Sequence, residues 1–103
     1  MADNITNELS PEEATREIRG IAKLGSIILS DHILYDHPDR NYDMQDVERV
    51  LSNGEVREPP EYDKKYDNWK YEMKGNAVEG DKATVVVTIV SHREIFCITI
   101  MNK

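Results

Sequence analysis

The chain is poor in the residues that carry most recognisable chemistry. Its single cysteine, Cys97, excludes an internal disulfide framework and a cysteine-rich zinc site. The aromatics are one tryptophan, one phenylalanine and five tyrosines. There is no phosphate-cradling glycine loop, no serine-nucleophile elbow and no HExxH pair. No apolar run approaches the ~20 residues of a membrane span. The first ten residues are polar and carry Asp3 and Glu8, which argues against a secretory leader. Positive charge is short as well: thirteen Lys and Arg face twenty Asp and Glu, for a net charge of −7. That disfavours a nucleic-acid binder working by bulk electrostatics. A lone thiol without leader or span makes the cytoplasm the expected location.

What is present describes one small α+β domain. A chain of 103 residues fits a single core. Residues 1–9 read as a loose tail and 10–103 as the domain. Acidity is concentrated in the middle: residues 31–63 hold ten acids and three bases, whereas 64–103 hold five acids and seven bases. Such a stretch serves as a solvated face or as a docking surface for a basic partner.

Helix signals dominate the first half. Ser10, Pro11 and Glu13 form a capping box with proline at the first helical position, and Ala14, Ile18, Ile21 and Ala22 then share a face. This predicts a helix over 11–24, ending before Gly25. Residues 27–29 form a short strand or extended lead-in. A second helix begins at Ser30 or Asp31, carries His32, and breaks ahead of Pro38. A third starts at Asp43, with Asp46 near its positive end and Met44, Val47, Val50 and Leu51 as its buried stripe, and stops at Gly54.

From residue 55 the period changes from 3.6 to 2. Residues 55–58 are a short strand candidate and 61–66 a charged loop. Trp69, Tyr71 and Met73 alternate with Lys70, Glu72 and Lys74, as in a half-buried strand. Residues 83–90 are nearly continuously apolar and predict a central strand buried on both faces. Residues 95–101 close an antiparallel meander on which the N-terminal helices pack.

The one dense polar cluster is Asp31-His32, Asp36-His37 and Asp39-Arg40. Its spacing matches no standard zinc motif, so no metal or cofactor is expected, and capping or surface electrostatics accounts for most of it. Within it, His32 and Arg40 are the candidate catalytic pair. Cleavage of RNA by its own 2′-hydroxyl needs a proton carrier and positive charge on the phosphorane-like transition state. An imidazole and a guanidinium supply these. The competing reading has His32 packing beside the helices and Arg40 pairing with a local carboxylate.

Candidate substrate cations are Lys70, Lys74 and, at a predicted hairpin tip, Arg93. Lys64, Lys65, Lys70 and Lys74 interleave with Tyr66, Trp69 and Tyr71, superficially like a nucleic-acid strand. In strand phase the aromatics and lysines oppose each other, which makes Trp69 and Tyr71 core residues. Cys97 reads as a small buried hydrophobe.

The order of these features resembles the bacterial family numbered 4258 among the domains of unknown function. The resemblance is carried by Gly25-Ser26-Ile27-Ile28-Leu29-Ser30-Asp31-His32, then Arg40, Tyr42, Asp46-Val47, Val50-Leu51 and Gly54-Glu55-Val56. Trp69-Lys70-Tyr71, Gly75, Val85-Val86-Val87 and Ile98-Thr99-Ile100 extend it over about 16–103. His32 and Arg40 match its most characteristic polar positions. Departures are Ile33, Asn41, Thr84 and Met101, where relatives often carry a small residue, Gly, His and an aromatic.

The resemblance implies a RelE-like fold related to ribonuclease toxins, including the MqsR and BrnT types, and with it an antitoxin-like protein partner. Two functional expectations follow. One is a toxin-type ribonuclease acting on RNA through His32 and Arg40, with Lys70, Lys74 and Arg93 on substrate. The other is a catalytically inactive interaction module that docks a partner through the acidic stretch.

Overall fold

In a computed structural model, residues 8–35 and 42–102 are described. Helix α1 (Pro11–Leu24) forms where the capping signals predict it. Ser10 Oγ accepts from Glu13 N, and Glu13 returns a carboxylate to Ser10 N, so two otherwise orphaned donors are met. Its buried face is Ala14, Ile18 and Ile21. Leu9 also belongs to the domain: it packs against the core, and its N–H donates to the Tyr71 hydroxyl.

Helix α3 (Met44–Asn53) carries a second capping box, Asp43 with Asp46. The expected buried stripe needs one change, because Met44 is over a third exposed and Asp46 is buried instead. Asp46 is held by Asp43 N on one carboxylate oxygen and Val78 N on the other. A carboxylate so satisfied tolerates burial, and it ties the start of α3 to the turn beyond the sheet.

Six strands form one mixed sheet: β1 (Ser26–Leu29), β2 (Glu55–Val56), β3 (Glu61–Asp63), β4 (Asn68–Asn76), β5 (Lys82–Ser91) and β6 (Glu94–Met101). The spatial order is β1-β6-β5-β4-β2, with β3 on the same outer flank of β4 as β2. One face holds Tyr71 and Met73, Val85, Val87 and Ile89, and Ile95, Cys97 and Ile100, joined by residues of α1 and α3 in one core. The other face alternates Lys70, Glu72 and Lys74 of β4 with Thr84, Val86 and Thr88 of β5.

Three expectations are corrected. The sheet is not purely antiparallel, because β1 runs parallel to β6. A parallel neighbour needs a long connection, and here nearly the whole intervening chain supplies it, so no local signal marks the direction. The helices are not all N-terminal to the sheet, since β1 separates α1 from the five-residue α2 (Asp31–Tyr35). The charged loop expected at 61–66 begins with a strand, which pairs Glu61, Tyr62 and Asp63 with Lys70, Trp69 and Asn68.

Cys97 is fully buried on β6, and burial pushes its thiol up to about 12. It is therefore a packing residue and almost wholly protonated at neutral pH. A disulfide exchange reagent such as Ellman's should label it only as fast as the chain opens. Complete labelling within the mixing time under native conditions would overturn this placement.

Candidate functional site

His32 owes its position to an irregularity in the sheet. The β5–β6 register shifts between Val86↔Thr99 and Val87↔Cys97, so Ile98 has no opposite residue. Its carbonyl instead accepts the Ser30 hydroxyl at 2.6 Å. The same Ser30 oxygen receives Ile33 N, and Ser30 N–H donates to Cys97 O. A bulge, an edge strand and a helix start are thus fastened at one serine, which aims α2 across the sheet edge. Ile33 anchors α2 in the core, while His32 is exposed on its other side.

The partner wall comes from the loop between β3 and β4. Asp63 accepts from Lys65 N at 2.8 Å and Tyr66 N at 3.4 Å, a side-chain turn that reverses the chain. Its other oxygen meets Lys70 Nζ at 3.3 Å. Partial burial pushes the Asp63 carboxyl up, but Lys70 and the two N–H groups outweigh it and hold it below the usual carboxylate range. Asp67 takes a left-handed φ of 51° and accepts the Tyr62 hydroxyl. The loop so held crosses the outer sheet face, where the Tyr66 ring lies 5.5 Å from that of Phe96 and Lys65 Nζ stands 5.4 Å from the Tyr66 ring centre.

The result is an open depression of about 570 Å³ that brings His32 together with Lys65, Tyr66, Phe96 and Thr99. It offers an imidazole, a cation and an aromatic wall, with the Asp31 carboxylate beside them. Lys65 and Tyr66 were the residues that strand-phase reasoning passed over. Both belong to the lysine and aromatic pattern of 64–74, and the signal for their placement is Asp63 opening a turn two residues before Lys65.

The other candidates lie elsewhere. Lys70 is held by Asp63 and borders a separate depression with Glu58, Glu61 and Glu72. Lys74 pairs with Glu72 at 3.6 Å near the far end of β4. Arg93 sits at the β5–β6 turn, where the neighbouring His92 Nδ1 is 2.9 Å from Glu17 of α1. Arg40 lies outside the described residues, as do Asp36, His37 and Asp39. Among the described residues no group of three or more His, Cys, Asp or Glu is placed to hold a metal, and no helix is long and apolar enough to cross a membrane.

A family model described as Domain of unknown function (DUF4258) matches residues 29–102. The chain belongs to that family. The match takes in the last residue of β1 and every later element, and so spans the residues that line the His32 depression. No curated protein and no solved structure matches the chain.

Proposed function

We propose that this DUF4258 domain is a toxin-type ribonuclease of RelE-like ancestry that cleaves RNA with the substrate's own 2′-hydroxyl as nucleophile. The observation that carries the reading is the meeting of His32, Lys65 and Tyr66 in one open depression. In such a reaction the 2′-oxygen attacks the adjacent phosphorus and the bond to the 5′-oxygen breaks. His32 takes the 2′-proton while water protonates the departing 5′-oxygen, or, in its protonated form, His32 supplies that proton while water takes the one from the 2′-oxygen. Lys65 offsets charge on the phosphorane oxygens, a role we also assign to Arg40 from its residue type. Tyr66 and Phe96 give a base an apolar surface to lie against. Lys70, Lys74 and Arg93 are left for the more distant phosphates of a longer strand. An antitoxin-like protein partner belongs to the same proposal.

The test is cleavage of total cellular RNA by purified protein, alone and in a translation extract. Wild type should cleave, and His32→Ala and Arg40→Ala should each lose at least tenfold while melting within a few degrees of wild type. Lys65→Ala should act mainly through kcat, because the charge it offsets develops only in the transition state. An absence of cleavage in both settings would remove the enzyme reading and leave the interaction module, with its acidic stretch at 31–63 as the surface to probe.

A further inference from the structure

A second concave site lies at the opposite edge of the sheet and shares no lining residue with the His32 depression. It is a cleft of about 500 Å³ where the end of α3 meets β2, the end of β4 and the start of β5. Four cations line it, Arg49, Arg57, Lys74 and Lys82, against the single carboxylate of Glu55. In a chain of net charge −7 that is a marked local inversion.

The local structure explains how the cations converge. Arg49 is one helical turn before Asn53, so the two project from one side of α3. Lys74 stands opposite Thr84 and Asn76 opposite Lys82 in the β4–β5 ladder. Lys74 and Lys82 are therefore diagonal neighbours on one sheet face, at a spacing of about 7–8 Å between backbone positions. Two glycines let the walls close up: a Cβ on Gly75 would stand 3.1 Å from the Gly54 Cα.

The negative end of α3 does not oppose this charge. Its last carbonyls, on Asn53 and Gly54, already accept from the Arg19 guanidinium at 3.3 and 2.9 Å. Arg57 engages Glu55 at 3.3 Å, and Lys74 engages Glu72 at 3.6 Å. Arg49 and Lys82 form no ion pair among the described residues.

We infer that this cleft binds a ligand carrying adjacent phosphate groups. Like charges held together at a sheet edge repel, and an anion with closely spaced charges removes that cost. The guanidinium forks of Arg49 and Arg57 match paired phosphate oxygens, and the two lysines add point charges. No aromatic or large aliphatic side chain lines the cleft, so it has nothing to hold a base or an acyl chain. It reads charge spacing. A free oligophosphate and a run of RNA backbone share that chemistry.

The experiment is calorimetric titration of the full chain at 50 and 200 mM salt with tripolyphosphate and, separately, with a 2′-O-methyl uridine 12-mer, which keeps the phosphates and lacks the hydroxyl needed for cleavage. Binding should weaken steeply with salt. Arg49→Ala/Lys82→Ala should weaken it at least tenfold, because both side chains are exposed and their removal leaves the fold intact. The charge-matched control Lys23→Ala/Lys64→Ala, away from the cleft, should change it less than twofold. His32→Ala should leave tripolyphosphate binding unchanged, so this site and the proposed cleavage fail separately. Tripolyphosphate binding marks a free oligophosphate as the ligand, and binding of the 12-mer alone marks RNA backbone. No binding of either, or equal losses in the two double variants, overturns the inference.

Discussion

Val85→Asp should leave the chain unfolded at 25 °C. Val85 is wholly buried on β5, opposite Met73 of β4 and Ile100 of β6, within the core shared with α1 and α3. An aspartate there loses the apolar contacts and brings a carboxylate with no cation or spare N–H beside it. Interior strand N–H groups are committed to the ladders on both sides, so none is free to solvate the charge. The cost exceeds about 4–5 kcal/mol, comparable with the whole stability of a small domain. Val86→Asp is the informative comparison. Val86 is 8 % exposed, faces away from the core opposite Glu72, and borders a depression that also contains Lys70. Its side chain reaches water with a small shift, so that variant should stay folded at reduced stability. Circular dichroism and urea denaturation separate the two. A V85D protein that unfolds cooperatively near the wild-type midpoint would show that the helices do not cover this face.

That contrast marks where the sequence is a good guide. The alternation in β4 and the apolar run in β5 predict strands, and both helix caps are legible because a side chain there bonds a backbone three residues away. Such interactions are complete within four residues, so local pattern suffices. Asp46 shows the boundary. Its role at the start of α3 is local and readable, but its burial depends on Val78, 32 residues later. Apolar periodicity accordingly selects Met44 in its place. The parallel pairing of β1 and the three residues of β3 are non-local in the same sense, since each is defined by the strand it meets.

The candidate site divides in the same way. His32 stands out by residue type. Its neighbours Lys65 and Tyr66 reach it only because Asp63 turns a loop across the sheet, and strand phase says nothing about a loop. The cationic cleft is less legible still. Two of its four cations, Arg49 and Arg57, come from the most acidic third of the chain, where a charge count places the opposite sign.

Gly54→Ala should destabilise the domain by about 3 kcal/mol and lower Tm by roughly 15 °C. The residue's φ is −79°, which any amino acid adopts, so backbone strain is not the cause. The cause is space. A Cβ at Gly54 would stand 2.5 Å from the Lys74 carbonyl oxygen and 2.6 Å from that of Val50. Both are backbone atoms, one in β4 and one in α3, and neither can rotate away as a side chain would. The end of α3 must lift from β4, which weakens the bonds that Arg19 makes to Asn53 and Gly54.

Gly20→Ala should act in the opposite sense. Gly20 lies inside α1, and nothing stands within 4 Å of the added Cβ. Alanine there gains up to about 1 kcal/mol from reduced chain entropy and better helix propensity. By sequence Gly54 reads as the stop of α3, and only the approach of β4 makes it indispensable. Thermal melts of the two variants beside wild type decide the matter. An unchanged Tm for Gly54→Ala would mean that α3 does not end against β4, and the walls of the cationic cleft would then have to be redrawn.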